Sequence, residues 1–256
     1  MSAIMEAALE AARVAGETAL RRWRAALEVE TKADGSPVTA ADREAERAAR
    51  AWIEARFPDD GILGEEFGPT RPGAARRWLV DPVDGTKAFV RGVPLWGSMV
   101  AVAEGPRVLA GAIAFPAVGE TLAAAPGAGC WWNGARCAVS GVDDLARAMV
   151  LVTDERCPGA PQRAAAWRAL AARAGLARTW GDCYGYLLVA TGRAEAMADP
   201  ALAPWDAAAL QPIVEEAGGV FTDWTGAATA FGGDAIATNR ALAGVVRDAL
   251  GAGTDR

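Results

Sequence analysis

The sequence predicts an α+β protein, and three observations predict it. Two stretches with helical charge periodicity occupy the chain up to Pro58. Short apolar runs bounded by glycine, proline or charge begin at Gly61, and strand-like and helix-like patterns alternate from Met149 onward. The first stretch spaces Glu6, Glu10, Arg13, Glu17, Arg21 and Arg24 three or four residues apart, one polar stripe opposite Ile4, Ala8, Ala11, Ala15 and Trp23. Lys32-Ala33-Asp34-Gly35-Ser36-Pro37 is a turn-rich connection. A second helix is expected from Thr39, a suitable N-cap with Asp42 three residues on. Its wet face carries Arg43, Arg47, Arg50 and Glu54, and Pro58 closes it.

Ile62-Leu63, Trp78-Leu79-Val80, Met99 to Ala103, Val108 to Phe115 and Thr121 to Ala124 read as strands. From Met149 to Val152 a second series begins: strand, helix (Gln162 to Ala174), strand near Thr179, helix (Tyr184 to Thr191) and strand (Glu195 to Ala198). A helix from Asp206 to Ala217, strands Val220 to Asp223 and Ala235 to Thr238, and a last helix complete it. The organisation expected is one domain over 1–256. An N-terminal α+β subdomain (1–145) meets a C-terminal α/β subdomain (146–256) at a seam near 140–148.

With 52% hydrophobic and 23% charged residues, the composition is that of an ordinary globular chain. A net charge of −6 with no basic tract disfavours nucleic acid or an anionic membrane as partner. An acidic protein can still bind an anionic substrate if its carboxylates first collect divalent cations. Four cysteines without a CxxC pair fit thiols in a reducing compartment. Glu6 and Glu10 stand where a signal peptide would be basic and then apolar, and no apolar run is long enough to span a bilayer, so a cytoplasmic protein is expected. Histidine is absent. That excludes Ser-His-Asp triads, phosphohistidine, His-ligated zinc and histidine general bases, leaving carboxylates, hydroxyls, thiols, amines or a hard metal for any hydrolysis.

The segment Asp81-Pro82-Val83-Asp84-Gly85-Thr86 follows the apolar Trp78-Leu79-Val80. Asp81 comes at the end of a strand, Pro82 is expected to stop its pairing, and Asp84-Gly85 turns the chain. Asp81, Asp84 and the Val83 carbonyl can converge as oxygen ligands of the kind Mg²⁺ prefers, and the Gly85 and Thr86 amides can receive a phosphate. Alone, such a stretch is equally an acidic turn. Glu65 and Glu66 after Ile62-Leu63, and Asp206 at a helix start, where it can serve as a cap, add two further acidic loci at element ends.

GEE (64–66), WLVDPVDGTKAF (78–89) and PWDAAALQPIVEEAGG (204–219), with TKADGSPVTAAD (31–42) and CWWNGARCAVS (130–140), resemble the motifs of the inositol monophosphatase family. That resemblance implies a layered αβαβα sandwich of the inositol monophosphatase and fructose-1,6-bisphosphatase type, commonly a homodimer. It implies two or three Mg²⁺ ions held by Glu65, Asp81, the Val83 carbonyl, Asp84 and Asp206. Glu65 and Thr86 would orient a metal-activated water, with Asp42 hydrogen-bonded behind Thr86. Asp84, Gly85, Thr86 and Asp206 would touch the phosphate end of a small phosphate ester. Lys87 reads either as a phosphate contact or as a solvated lysine.

Arg91 to Gly97 and Trp180 to Glu195 resemble the histidinol-phosphate phosphatase branch of that family. Asp182 and Asp199 would complement the ammonium and imidazole of histidinol phosphate, with Tyr184 and Trp180 as aromatic faces. Asp182 could instead cap the helix after it. Inositol 1-phosphate and 3′-phosphoadenosine 5′-phosphate are alternative substrates sharing every expected metal ligand. A non-enzymatic relative would be expected to have lost one of them.

Overall fold

Alanine shapes the first layer. Helix α1 (Ala3–Leu20) buries Ala8, Ala11, Ala12, Ala15 and Ala19 beside Met5 and Leu9, a face with good helix propensity and little bulk. An antiparallel hairpin of β1 (Val29–Thr31) and β2 (Pro37–Thr39) leads to helix α2 (Ala40–Arg56). The structure is a computed structural model that describes residues 1–25, 28–32, 35 and 37–251. Of the turn expected over 32–37, Ala33, Asp34 and Ser36 lie outside the described residues. The start of α2 is a reciprocal cap. The Thr39 hydroxyl accepts from the Ala41 amide (3.1 Å), and Asp42 Oδ2 accepts from the Thr39 amide (2.8 Å) and hydroxyl (2.7 Å).

The chain continues as β3 (Gly61–Gly64), β4 (Gly68–Thr70) and β5 (Arg76–Asp84), then a short helix α3 (Thr86–Val90). Strands β6 (Gly97–Glu104), β7 (Arg107–Phe115), β8 (Glu120–Ala125), β9 (Gly129–Trp132) and β10 (Ala135–Arg136) follow. They form one sheet in the order β10-β9-β8-β7-β6-β5-β3-β4, antiparallel except where β3 meets β5. The second half runs β11 (Met149–Leu151), α4 (Ala164–Arg173), β12 (Leu176–Arg178), α5 (Asp182–Ala190) and β13 (Ala196–Asp199). It ends with α6 (Pro204–Ala207), α7 (Leu210–Glu216), β14 (Val220–Thr222), β15 (Ala235–Thr238) and α8 (Ala243–Ala249). Its sheet has the order β12-β11-β13-β15-β14.

Strand alternation stacks these pieces. Val100 and Val102 of β6 pack with α1 and α2, while Met99, Ala101 and Ala103 face the other way. On that other side, Leu187 and Val189 of α5 and Ile213 and Val214 of α7 fill the space up to Met197, Phe221 and Ala237 of the second sheet. Trp167 and Leu170 of α4 and Val246 of α8 cover that sheet's outer face through Val150, Ala198 and Ile236. The layers are therefore αβαβα, the sandwich the sequence led us to expect. Among the described residues no helix is long and apolar enough to cross a membrane.

Several expectations need correction. The helix expected from Asp206 to Ala217 is two helices with a turn at Ala208 and Ala209. Pro212 has no amide to give Ala208 and its ring crowds that carbonyl, so the helix breaks there. Pro82 does not end β5; the strand runs on to Asp84 with a shift in register between Asp81 and Asp84. The strand expected near Thr179 ends at Arg178, and Trp23 lies beyond α1. Arg50 is not on a wet face but is buried against Glu46.

Candidate active site

Strand β5 carries Asp81 and Asp84 to the edge of the cleft between the two sheets. The bulge is held by Ser98 Oγ, which donates to the Pro82 carbonyl (2.5 Å), and by the Val83 amide, which donates to Asp81 Oδ1 (3.0 Å). Gly85 follows with φ 87°, and a Cβ there would come within 2.8 Å of the Leu95 carbonyl. Only glycine satisfies both the left-handed turn and that close approach. The turn directs Thr86 Oγ1 to the Val83 carbonyl (2.9 Å) and to Asp42 Oδ1 (3.3 Å). Having one proton, the hydroxyl can donate to only one of them at a time. Burial raises Asp42 above its ordinary carboxylate range against the hydrogen bonds from Thr39.

The turn after β3 presents Glu65 and Glu66, and a buried ion pair behind it sets its shape. Glu46 Oε1 accepts from Arg50 Nε (2.7 Å) and Oε2 from the Glu66 amide (2.7 Å). A Cβ at Gly64 would overlap that carboxylate. Lys32 Nζ donates to Glu65 and Glu66, each at 2.6 Å. From the opposite subdomain, Asp206 arrives on the first turn of α6. It is not the N-cap; its carboxylate reaches back to accept the Ala203 amide (2.8 Å).

Glu65, Asp81, Val83, Asp84, Gly85, Thr86 and Asp206 thus line one hollow of ≈ 440 Å³. The Asp81 carboxyl shares this hollow with those of Glu65 and Asp206. Burial, then repulsion by Glu65, Asp84 and Asp206, pushes Asp81 well above the ordinary carboxylate range. Asp84 is pushed up by burial and by Asp182 and Asp206, and burial takes Asp206 to about 7. Among the described residues Lys32 is the one basic side chain bonded within this acidic set, and it engages Glu65 and Glu66. Among the described residues no three acids or thiols close into a finished ion cage. The hollow is an open-faced set of hard oxygen donors whose mutual repulsion a divalent cation would relieve, so the residues fit such an ion.

A second hollow of ≈ 460 Å³ shares Asp84, Ala201, Leu202 and Asp206 with the first. It contains both Asp182 and Asp199. Asp182 opens α5 just after the N-cap Gly181, with φ 50°, an uncommon backbone for a non-glycine residue, and among the described residues its carboxylate accepts no hydrogen bond. Its amide donates to Thr153 Oγ1 (2.9 Å), and the neighbouring Cys183 amide donates to Asp84 Oδ2. Burial, then Asp199, raises Asp182 to about 7, against the pull of Lys87. Asp199 accepts from the Tyr186 hydroxyl (3.1 Å) and the Thr153 amide (3.3 Å), with burial raising it to about 6. Trp180 is exposed and Tyr184 stands edge-on to Phe115; neither lines this hollow, which takes Tyr186 as its aromatic residue.

The inositol monophosphatase family model matches residues 1–251. The chain belongs to the inositol monophosphatase family. A histidinol-phosphatase of Chlorobaculum parvum is 42% identical over 99% of this chain and 98% of its own length. A histidinol-phosphatase of Mycobacterium tuberculosis is 39% identical over 89% of each. Among solved structures, the extragenic suppressor protein suhB of Bartonella henselae superposes with a TM-score of 0.91 at 30% identity, covering 97% of this chain and 98% of that one.

Within this family member, three residues of the two hollows and their support, Glu46, Tyr186 and Asp154, were not singled out from the sequence, and Arg50 was misplaced. Charge periodicity placed Arg50 on a wet face, and its buried partner Glu46 was not singled out at all. Tyr186 sits four residues after Asp182, on the same helix face, a spacing that could have revealed it. Asp154 follows the apolar Met149–Leu151 strand, the same acid-after-strand signal that marked Glu65 and Asp81.

Proposed function

We propose that this chain is a Mg²⁺-dependent phosphomonoesterase that hydrolyses histidinol phosphate to histidinol and phosphate. The observation that carries the proposal is the junction of two unlike hollows at Asp84 and Asp206. One is lined by hard oxygen donors and the other presents Asp182, whose carboxylate has no hydrogen-bond partner among the described residues. The two histidinol-phosphatase relatives support the same substrate.

Glu65, Asp81, the Val83 carbonyl, Asp84 and Asp206 would hold two or three ions. When bound, Mg²⁺ supplies charge neutralisation for the incoming phosphate and makes water a better acid at neutral pH. Thr86 Oγ1, placed between the Val83 carbonyl and Asp42, can take a proton from an attacking water as its own passes to Asp42. Burial of Asp42 favours that transfer by raising its proton affinity. The amides of Gly85 and Thr86 stabilise charge on the phosphoryl oxygens. At the other end, Asp182 gains a counter-charge when a cationic alcohol enters, and its high proton affinity falls as it pairs.

Phosphate release from a panel of phosphomonoesters, with Mg²⁺ and after chelation, tests this. Histidinol phosphate is expected to be preferred to inositol 1-phosphate, with both reactions lost on chelation. Asp182→Ala is expected to raise KM for histidinol phosphate about tenfold more than for inositol 1-phosphate, the equivalent of one charge-assisted hydrogen bond. Turnover that survives chelation, or equal effects on the two esters, would overturn the assignment.

A further inference from the structure

The second hollow has a third carboxylate on its wall. Asp154 lies three residues beyond β11 and faces the same space as Asp182 and Asp199. It is paired with its near neighbour. Arg156 Nε donates to Oδ1 at 2.9 Å, a guanidinium amino group to Oδ2 at 2.5 Å, and the Arg156 amide to Oδ1 at 3.0 Å. The side chains differ sharply in exposure: Asp154 is 21% exposed and Arg156 is 87% exposed. The bond from Arg156 outweighs partial burial and keeps Asp154 ionised, down to about 2.

This pair is built to be exchanged. Among the described residues, the Arg156 side chain donates to Asp154 alone, and an ion pair so open to water is easily displaced. Arg156 thus leaves an ionised carboxylate facing N–H donors, and one N–H of an imidazolium can take the place of one of the two guanidinium bonds. Asp199 is more committed than Asp154, since its two oxygens already accept Tyr186 and Thr153 in a buried setting, although each keeps a further lone pair. An alcohol carrying both an ammonium and an imidazole needs two available carboxylates, and Asp182 supplies one. Lys87 stands near Asp154 and Asp182 and favours the ionised form of both.

We propose that Asp154 is a specificity-determining residue that binds the second cationic nitrogen of the substrate alcohol, with Arg156 as an internal stand-in displaced on binding. This rests on the histidinol phosphate assignment and extends it to a residue outside the expected set.

The test uses the full chain with Mg²⁺, hydrolysing glycerol 2-phosphate while histidinol competes, with glycerol as the neutral control. Asp154→Asn is expected to raise the inhibition constant of histidinol about tenfold, as loss of a charged hydrogen-bond partner should. Arg156→Ala is expected to lower it severalfold, because the stand-in is gone, and neither change should alter competition by glycerol. Equal inhibition of wild type and both variants by histidinol would overturn the Asp154 role alone. Weaker inhibition in Arg156→Ala would also overturn it, by making Arg156 itself the contact. Failure of histidinol to compete in the wild type, with Mg²⁺-dependent release intact, would overturn the substrate assignment and this role together. If Asp154→Asn does not fold, as judged by circular dichroism, the Arg156→Ala result decides alone.

Discussion

Asp84 belongs to both hollows, and its carboxylate accepts the Cys183 amide at the start of α5. Asparagine keeps an acceptor for that amide and removes the charge. Asp84→Asn is therefore expected to fold like the wild type and to lose Mg²⁺-dependent phosphate release by at least about a hundredfold, since even removing a ligand's supporting partner can cost that much. Undiminished turnover would remove Asp84 from the metal set. Glu46 is a different kind of residue, fully buried and bonded to Arg50 and to the amides of Glu66 and Phe67. Glu46→Ala leaves a buried guanidinium without its counter-charge, although Thr70 and the Gly68 carbonyl still accept from it, and losing one partner of a buried ion pair costs about 3–5 kcal/mol. Urea melts should show that loss, and a shift under about 1 kcal/mol would mean that water or a new partner satisfies Arg50. The contrast explains what could be read in advance. Glu65, Asp81, Asp84 and Asp206 stood out because each follows an apolar run or opens a helix. Glu46 and Arg50 did not, because their burial depends on the β3–β4 turn, which no local pattern announces.

At the scale of elements, α2 links stability to chemistry through its first turn. Thr39 caps the helix and donates to Asp42 Oδ2, while Asp42 Oδ1 receives Thr86. Thr39→Ala is expected to lower stability by about 1 kcal/mol, the usual value of such a cap. Because Asp42 then loses the hydroxyl donor that orients it, kcat should fall while KM for the ester changes little. Equal changes in both constants would reduce Thr39 to a cap. The cap was legible from Thr39 and Asp42 at N-cap spacing. The break between α6 and α7 was equally written in Pro212, but the apolar periodicity through Ala207 to Val214 masked it. The β1–β2 hairpin was illegible for a better reason: β1 is exposed throughout and each strand has only three residues, too few to show an alternation.

Across the whole molecule, the α+β character was readable because apolar runs and helical stripes alternate along the chain, whereas the αβαβα order of layers was implied by the resemblance of the motifs to the inositol monophosphatase family. The meeting of Asp182 and Asp199 with Asp84 and Asp206 was not readable from spacing, since it depends on how two sheets share the α5–α7 layer. That meeting buries many acids in one cleft, with a consequence for stability. Asp182 and Asp206 titrate at about 7 and Asp199 at about 6, against an ordinary value of 3.8. Between those limits the folded, metal-free protein holds protons that the unfolded chain has released, so its stability must fall as pH rises from about 4 to about 7. Asp154, held down to about 2, works in the opposite sense but only below 3.8, outside that window. A divalent ion binds the ionised folded state and stabilises it by mass action, most strongly where protons no longer compete. Scanning calorimetry of the chelated protein should therefore show a lower Tm at pH 8 than at pH 5.5. Saturating Mg²⁺ should narrow or reverse that gap, and Asp182→Asn should flatten the metal-free slope by removing one of the three groups. A metal-free Tm that rises between pH 5.5 and pH 8, or a slope unchanged in Asp182→Asn, would show that these carboxylates are not held protonated by their burial.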